Sequence, residues 1–516
     1  MTKPLICLSL TGKTLHEDVK IVEKYRKHID LVELRVDFLD DEEQLCIRRF
    51  PAMVNVPCIL TIRRQIDGGK YTNNEFSRIT LFSKALSFAS QNSAKNFAYV
   101  DFEDDFHILG LYEVALASGM KIIRSLHDFE NPIVNIHQKC EQMKRSNYEI
   151  PKIAFMPKKL SDVTRLFEEA KNFTDFDHIL CAMGPLGIPS RILSGKLNSY
   201  LTYTSPLEMD ESMKHIGHID PETLDNLYQF RNIDADTEIC AVTGYPLKVT
   251  SSPYIHNTAY KEHNMNRVFI PMPSTSMEES MDLANQLGIT GMAVTVPYKV
   301  DAMRNANEVC SECHSIGASN TLIKKDNKWY AQNTDYSGFK QALCEFLGVK
   351  KLHRRKVAII GAGGAAHAIA YAIKLLGGKA CIFNRTKSSA EELAKQFGFT
   401  SAPLTQESEP ILRRYSDIII QTTNVGMYSN EPSSKENNPI WFYKFTGSEH
   451  LYDIIYEPQE TPVMKEAGLA GCAKENISNG FSMLKYQGER QFFYFTGEEA
   501  CLQPNKTAGI ATDQKL

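Results

Sequence analysis

The chain has 516 residues, enough for two to four domains that each bury a core. Its 58 Lys plus Arg against 62 Asp plus Glu leave a formal net charge of −4 with no basic stripe, which excludes nucleic-acid binding driven by counterion release. At 43% hydrophobic and 23% charged residues the composition is that of a soluble globular protein, and no run approaches the ~20 apolar residues of a membrane span.

The first strand-like run, residues 5–10 (LICLSL), comes at once, with neither a secretory signal nor an Arg/Ser-rich transit stretch before it. A cytoplasmic protein with its twelve cysteines reduced is expected. Further runs follow at 30–39, 58–63, 97–103, 121–127, 152–157, 178–184 and 199–205, most of them separated by helical segments such as EDVKIVEKYRKH and SDVTRLFEEAKNF. Eight strand–helix alternations predict an α/β fold, a (β/α)₈ barrel over residues 1–232, with working residues on the strand ends and loops of its C-terminal face.

Polar residues that interrupt these runs are the informative ones. Glu33, Arg35 and Asp37 alternate along one run and so share a face that would otherwise be apolar. Arg63 closes another run just before an Asp67-Gly68-Gly69 turn, and Arg191 lies in the loop after the seventh. Three arginines converging there suit a carboxylate-bearing or polyhydroxylated ligand, the alternative being a structural ion-pair network. His127 with Asp128 closes the fifth run, and Lys152 opens the sixth as PKIAF. A lysine among apolar neighbours loses solvation, which favours the neutral amine that attacks a carbonyl to form a Schiff base, and a nearby histidine can move protons.

The polar stretch 231–237 (RNIDADT) marks a boundary. Beyond it come a strand (EICAVTG), a helix near PYIHNTAYKEHN, a strand (RVFIPMP), a helix (EESMDLANQLG), a strand (GMAVTVP), a helix-like stretch (KVDAMRNANEV) and a hairpin of TLIKK and KWYAQ turning on Asp326 and Asn327. Residues 238–345, joined by about 470–496, form the expected substrate-binding subdomain. Cys310, Cys313 and His314 spell C-x-x-C-H, the haem-attachment pattern, which needs an exported chain; small buried core cysteines are the expected reading, and no metal is expected. The N-x-T triplets at Asn172 and Asn505 are chance matches in a chain that is not secreted.

Lys356–Thr386 reads as a dinucleotide-binding unit within a Rossmann-type subdomain over 350–469: an apolar run (KVAII), a glycine loop, a helix, and a second apolar run ending Asn384-Arg385-Thr386. Gly361 turns the chain, Gly363 admits a pyrophosphate, Ala366 keeps the helix close, and the backbone of Gly361, Ala362, Gly363, Gly364 and Ala365 faces the anion. An acidic residue at the end of the second run would bind the ribose of NAD, whereas Asn384 and Arg385 suit a 2′-phosphate, so NADP is expected. The stretch NGFSMLKYQGERQFFYF is an amphipathic helix long enough to pack back across both subdomains, and residues 497–516 read as a frayed tail.

Glu33-Leu34-Arg35, the Arg63–Gly69 turn, Ser125–Phe129, Pro151-Lys152 and Ser190-Arg191 together resemble the type I 3-dehydroquinate dehydratases. The resemblance implies that Lys152 forms an imine with the substrate ketone, that His127 is the acid/base, and that Ser9, Glu33, Arg35, Arg63 and Arg191 hold ring hydroxyls and carboxylate. In place of that family's S-A-P-G-Q lid this chain has Lys214-His215-Ile216-Gly217-His218, with His218 a further candidate for the substrate. The second half resembles the shikimate dehydrogenases through Thr250–Pro253, Ile255-His256-Asn257, Val294–Pro297 with Lys299, Ser319-Asn320-Thr321, Asn333-Thr334-Asp335, the cofactor unit, Tyr452–Thr461 and Met483–Gln487. That implies Lys299 and Asp335 as the catalytic pair, Thr250, Ser252, Thr295, Asn320, Tyr456 and Gln487 on the substrate, and Gly480 at the cofactor. Thr250 stands where serine is usual, Ala293 where Asn or Ser is usual, His367 where a basic residue is common, and Ser389 where many members carry a second arginine, so NADP preference rests on Arg385. The two resemblances imply consecutive reactions on the small molecules 3-dehydroquinate, 3-dehydroshikimate and shikimate, with no nucleic acid, membrane or obligate protein partner. A second half that also oxidises quinate is the alternative.

Overall fold

The computed structural model describes residues 3–87, 90, 92–208, 215–247 and 250–499. In its first half the strands are β1 (Leu5–Leu10), β2 (Leu31–Arg35), β3 (Cys58–Thr61), β4 (Tyr99–Glu103), β5 (Lys121–Asp128), β6 (Glu149–Phe155), β7 (Ile179–Ala182) and β8 (Leu201–Thr204). All neighbours pair in parallel in the order β7-β6-β5-β4-β3-β2-β1-β8. At the remaining seam the Tyr200 N–H donates to the His178 carbonyl at 2.7 Å, which brings the barrel nearly to closure.

Strand alternation sorts the side chains into two cores. Ile6, Leu8, Leu10, Val32, Leu34, Ile153 and Phe155 face outward and pack under the surrounding helices. Cys7, Leu31, Ile59, Ile123, Ile150, Ala154, Ile179 and Tyr203 face inward. The inward set therefore includes Ser9 between Cys7 and the strand end, and Lys152 between Ile150 and Ala154. The helix Leu160–Ala170 shows the outer packing: Leu160, Val163, Leu166, Phe167 and Ala170 recur at helical spacing and are buried. It lies against the helix Met277–Leu287 of the second half, whose Glu279 accepts the Leu160 N–H at 3.3 Å. Leu166→Ala would open a cavity in this layer at a cost of about 2–5 kcal/mol.

The second half holds two sheets. One contains β9 (Glu238–Thr243), β10 (Arg267–Pro271), β11 (Gly291–Val294), β12 (Glu308–Val309), β13 (Thr321–Lys325) and β14 (Lys328–Gln332), in the order β10-β9-β11-β13-β14-β12. Its β13–β14 hairpin turns on Asp326 and Asn327, both left-handed at φ 48° and 58°. The other is parallel throughout: β15 (Lys356–Ile360), β16 (Lys379–Asn384), β17 (Thr400–Pro403), β18 (Ile418–Gln421), β19 (His450–Asp453) and β20 (Ile477–Ser478), in the order β17-β16-β15-β18-β19-β20. Its strand order reverses beside β15, the position at which doubly wound sheets open a ligand crevice. The helices Asp335–Leu347 and Phe481–Thr496 pack on each other beside both sheets.

Several elements depart from the sequence expectation. The run at 30–39 stops at Arg35 and tightens into a 3₁₀ turn over Val36–Phe38, so Asp37 is not the third residue of a strand face. Lys152 does not open its strand: pairing begins at Glu149, and Pro151 is accommodated in it. The helix-like stretch 299–309 is a helix only over Lys299–Asn305 and then becomes β12. Residues 477–478, grouped by sequence with the substrate-binding subdomain, extend the cofactor sheet. Of the expected tail only 497–499 is described, and Lys214 also lies outside the described residues. Among the described residues no helix is long and apolar enough to cross a membrane.

Candidate active sites

The barrel carries a recess of about 520 Å³, mouth included, and Ser9, Glu33, Arg35, Arg63, His127, Lys152, Arg191 and His218 all line it. Ser9, Glu33, Arg35, His127 and Lys152 reach it from inward strand positions and Arg63 from just past β3, while Arg191 comes from the short helix after β7 and His218 from the segment after β8. Lys152 is 5% exposed, its Nζ 3.3 Å from Asp101 Oδ2 and 4.2 Å from the centroid of the Tyr203 ring. Asp101 also takes Arg63 at 2.8 Å and the Ser125 hydroxyl at 2.6 Å. Burial would raise Asp101, but the Arg63 and Lys152 charges outweigh it and hold the carboxyl below its ordinary range. The site thus keeps a fixed anion beside the lysine, suited to steady a cationic nitrogen there.

His127 is governed by burial, reinforced by the Arg63 and Lys152 charges, and is held well below the ordinary imidazole range. It is therefore a neutral base near pH 7. Its Nδ1 is buried with no hydrogen-bond partner among the described residues. His218 is pushed in the same direction by burial and by Arg191, and its ring is hydrogen-bonded to the Ser205 hydroxyl.

The three arginines differ in one respect that matters. Arg35 is already neutralised by Asp37 through bonds of 2.9 and 2.7 Å, and Arg63 by Asp101 and Glu103, the latter at 3.0 Å. Arg191, on the short helix Ile188–Ile192, is 2% exposed and meets no carboxylate among the described residues. Its guanidinium donates to the Ile216 carbonyl at 2.8 Å and the Tyr203 carbonyl at 3.5 Å, while Nε has no partner. A buried cation left this way suits an anionic ligand. Glu33 is held by the Ser9 hydroxyl at 2.7 Å and Thr61 at 3.0 Å, leaving it as an acceptor at the floor of the recess.

Sequence reasoning missed Asp101, Glu103 and Tyr203. The first two alternate on YVDFE as Glu33 and Arg35 do on LVELR, so the same test of charges on a buried face applies to them. Tyr203 carries no such signal.

In the second half Lys299 opens a helix just past β11, and its Nζ lies 2.6 Å from Asp335 Oδ2. The Asn320 amide donates to Asp335 Oδ1 and to the Thr334 hydroxyl, each at 2.9 Å, and reaches Gln487 Oε1 at 3.4 Å. Four of the expected residues thus form one hydrogen-bonded cluster. Thr295 lies in the loop after β11, its N–H bonded to the Thr243 carbonyl at 2.9 Å. The Thr250 hydroxyl accepts the Ser252 N–H at 3.3 Å at the start of the helix Ser252–Glu262. Tyr456 comes from beyond β19 in the other sheet and meets Ser251; burial raises its phenol.

The glycine loop fits a dinucleotide. Gly361 has φ 114°, and a side chain there would meet the Thr422 hydroxyl at 2.5 Å, while nothing lies within 4 Å of where a Gly363 side chain would point. The helix Gly364–Leu375 starts at this open space, with Ala362 and Ala365 partly exposed beside it. A side chain on Gly364 would sit 3.6 Å from Lys299 Cδ, so Lys299 reaches the edge of the same crevice. Asn384 donates to the Thr386 carbonyl at 3.0 Å, and Arg385 is exposed with no acidic partner among the described residues. Gly480 has a packing reason of its own, since a side chain would run into the Ile454 carbonyl at 1.9 Å.

Comparison with known proteins agrees with both halves. Residues 6–235 match the type I 3-dehydroquinase family, 242–322 the shikimate dehydrogenase substrate binding domain, and 346–435 the shikimate/quinate 5-dehydrogenase family. The chloroplastic bifunctional 3-dehydroquinate dehydratase/shikimate dehydrogenase of Arabidopsis thaliana is 28% identical over 523 residues, covering 96% of this chain and 82% of that protein. A shikimate dehydrogenase (NADP(+)) of Carboxydothermus hydrogenoformans is 35% identical over 272 residues, covering 51% of this chain and 94% of its own. A solved structure of a shikimate dehydrogenase in complex with NADP+ aligns at 32% identity over 55% of this chain and 98% of its own, with a TM-score of 0.47.

Proposed function

The chain belongs to the type I 3-dehydroquinases through its first half and to the shikimate dehydrogenases through its second, and on that premise we propose two consecutive reactions: dehydration of 3-dehydroquinate to 3-dehydroshikimate in the barrel, then NADPH-dependent reduction to shikimate in the second half. The observation that carries the first step is the meeting of Lys152, neutral His127 and the unpaired Arg191 in one recess.

Arg191 takes the substrate carboxylate, and Ser9, Glu33, Arg35, Arg63 and His218 surround the ring. The Lys152 amine adds to the ketone and, with one proton taken up from solvent, water leaves to give an iminium, with Asp101 beside the new positive charge. The iminium withdraws electrons from the adjacent C–H, so neutral His127 can take that proton and return it to the departing hydroxyl. Hydrolysis of the imine frees Lys152. Because His127 must be neutral to begin, its depressed basicity keeps the base available over the whole physiological range.

Bound NADPH would supply the hydride for the second step. The backbone of Gly361 to Ala365 would receive its pyrophosphate, and Asn384, Arg385 and Thr386 its 2′-phosphate end, with Gly480 letting the chain pass close by. Lys299 hands a proton to the developing alkoxide, and Asp335, fixed by Asn320, holds the ammonium in place. Thr250 and Ser252 bind the carboxylate, and Thr295, Asn320, Tyr456 and Gln487 the ring hydroxyls. The division at 1–232, 238–345 with 470–496, and 350–469 is part of the proposal, with β20 reassigned to the cofactor sheet. So is a cytoplasmic location, supported by the free thiols of all eleven cysteines among the described residues.

Borohydride with 3-dehydroquinate tests the first site. Reduction of the imine should fix substrate mass on Lys152 alone, and mass on another lysine, or none, overturns the assignment.

A further inference from the structure

Neither reaction uses the C-x-x-C-H sequence, yet its two sulfurs are placed in an ordered and unequal way. Cys310 caps the helix Ser311–Ile316, its sulfur accepting the Cys313 N–H at 3.3 Å. Cys310 is partly exposed and Cys313 is fully buried. A hydrogen bond from the Cys313 thiol, working against burial and helped by the Cys313 N–H, brings Cys310 down to about 7, whereas Cys313 is raised by the thiol it faces and by burial. One thiol is thus reachable and readily ionised, the other enclosed and protonated, the division of labour between an attacking and a resolving cysteine.

The location gives the pair something to act on. Ile316 packs with Ala318 and with Ala368 of the glycine-loop helix. The Ile316 carbonyl accepts from His367 Nδ1 at 3.2 Å and the Ser315 carbonyl from Gln396 at 2.7 Å, both residues of the cofactor subdomain. Four residues past Ile316 is Asn320, which holds Asp335, and the Ser319 N–H donates to the Lys299 carbonyl at 2.8 Å. The short helix is therefore a joint between the substrate sheet, the cofactor sheet and the catalytic pair.

We propose that Cys310 and Cys313 form a reversible dithiol–disulfide site, oxidised by a low-molecular-weight disulfide such as glutathione disulfide, whose closure lowers the dehydrogenase activity. The Cys310 thiolate attacks one sulfur of the disulfide and expels one thiolate. Cys313 then loses its proton and attacks the Cys310 sulfur, expelling the second. Two protein thiols and one disulfide become one protein disulfide and two small thiols. Residues three apart on a helix have Cβ atoms roughly 5–6 Å apart, and a disulfide needs about 4 Å. Cys310 has extended backbone outside the helix and can make up that difference, at the expense of the cap hydrogen bond and hence of the joint.

The full chain is equilibrated in glutathione buffers of graded ratio, quenched in acid, alkylated and digested. The tryptic peptide Asn305–Lys324 should become lighter by two hydrogens and lose both alkyl groups at oxidising ratios, reversibly with dithiothreitol. NADPH-dependent reduction should fall about fivefold or more in kcat/KM, with dehydration unchanged. Cys310→Ser, which keeps a good cap residue, should retain full reductase activity and become insensitive to oxidant. Two alkyl groups retained on the peptide, a glutathione adduct on Cys310 without closure, or unchanged reductase activity in the oxidised protein overturns the inference. The activity arm rests on the proposed reduction and the mass arm does not, so a reduced protein inactive on 3-dehydroshikimate refutes that reading separately.

Discussion

Arg191→Met puts the barrel assignment under the most revealing strain, because stability and function should move in opposite directions. Arg191 is 2% exposed, has no carboxylate partner and leaves Nε unpaired, so its charge is buried at a cost; burial lowers its proton affinity, with only the Cys181 thiol set against this. Methionine fills similar length without the charge. The Ile216 carbonyl that loses the guanidinium keeps the Gly184 N–H at 2.8 Å, and the bond to Tyr203 at 3.5 Å is weak, so little is orphaned. Replacing a buried charge by an apolar side chain of matching shape stabilises by about 1–3 kcal/mol, a melting shift of roughly 2–4 °C per kcal/mol for a domain of this size. Removing one partner from a buried charge pair costs about 2–5 kcal/mol of binding, here about 30-fold to 4,000-fold in KM for 3-dehydroquinate at tenfold per 1.4 kcal/mol. Thermal unfolding with and without 3-dehydroshikimate, alongside steady-state dehydration, reads both. A variant that melts lower than the parent and keeps KM within threefold refutes the reasoning.

Lys299→Ala should lower kcat for NADPH-dependent reduction by about 10²- to 10⁴-fold while dehydration is untouched, the usual loss when a positioned proton donor is removed; a drop under tenfold would show that another group protonates the alkoxide. Arg385→Ala should raise KM for NADPH by about 10- to 150-fold, the worth of roughly 1.5–3 kcal/mol in a charged hydrogen bond, and leave NADH unchanged; equal weakening of both would move the 2′-phosphate contact elsewhere. Burial pushes His256 down to about 3, below its unfolded value of roughly 6.5, so its neutral ring contributes stability that is full above that pH and is lost as pH falls toward 3. His256→Phe, which can keep the stack on Phe269 at 4.3 Å, should flatten the acid limb of urea stability; an unchanged pH dependence argues against this source.

The barrel was legible because most of its strand residues are apolar and buried, and an inward charge such as Glu33 stands out against Leu31 and Leu34. Glu149-Ile150-Pro151 hid the start of β6, since glutamate and proline read as a boundary although Glu149 is buried on Arg124 at 2.8 Å. The short strands β12 and β20 have two residues each, too few to show alternation, and owe their form to the sheets they join. Motif spacing brought Lys299, Asp335, Asn320 and Gln487 to one place across 188 residues, but not the difference between Arg191 and its two neutralised neighbours. That difference depends on which carboxylates reach which guanidinium in space. Asp101, the anion beside Lys152, alternates with Glu103 along β4 and was within reach of the test that singled out Glu33.

The two-step account is tested most directly by NADPH consumption with 3-dehydroquinate as the sole organic substrate. One NADPH should be oxidised per 3-dehydroquinate supplied, Lys152→Ala should consume none, and adding 3-dehydroshikimate should restore that variant to the parent rate. Failure of the parent chain to oxidise NADPH from 3-dehydroquinate while it readily reduces 3-dehydroshikimate, or consumption by Lys152→Ala at the parent rate, would contradict the barrel as the source of the reductase's substrate.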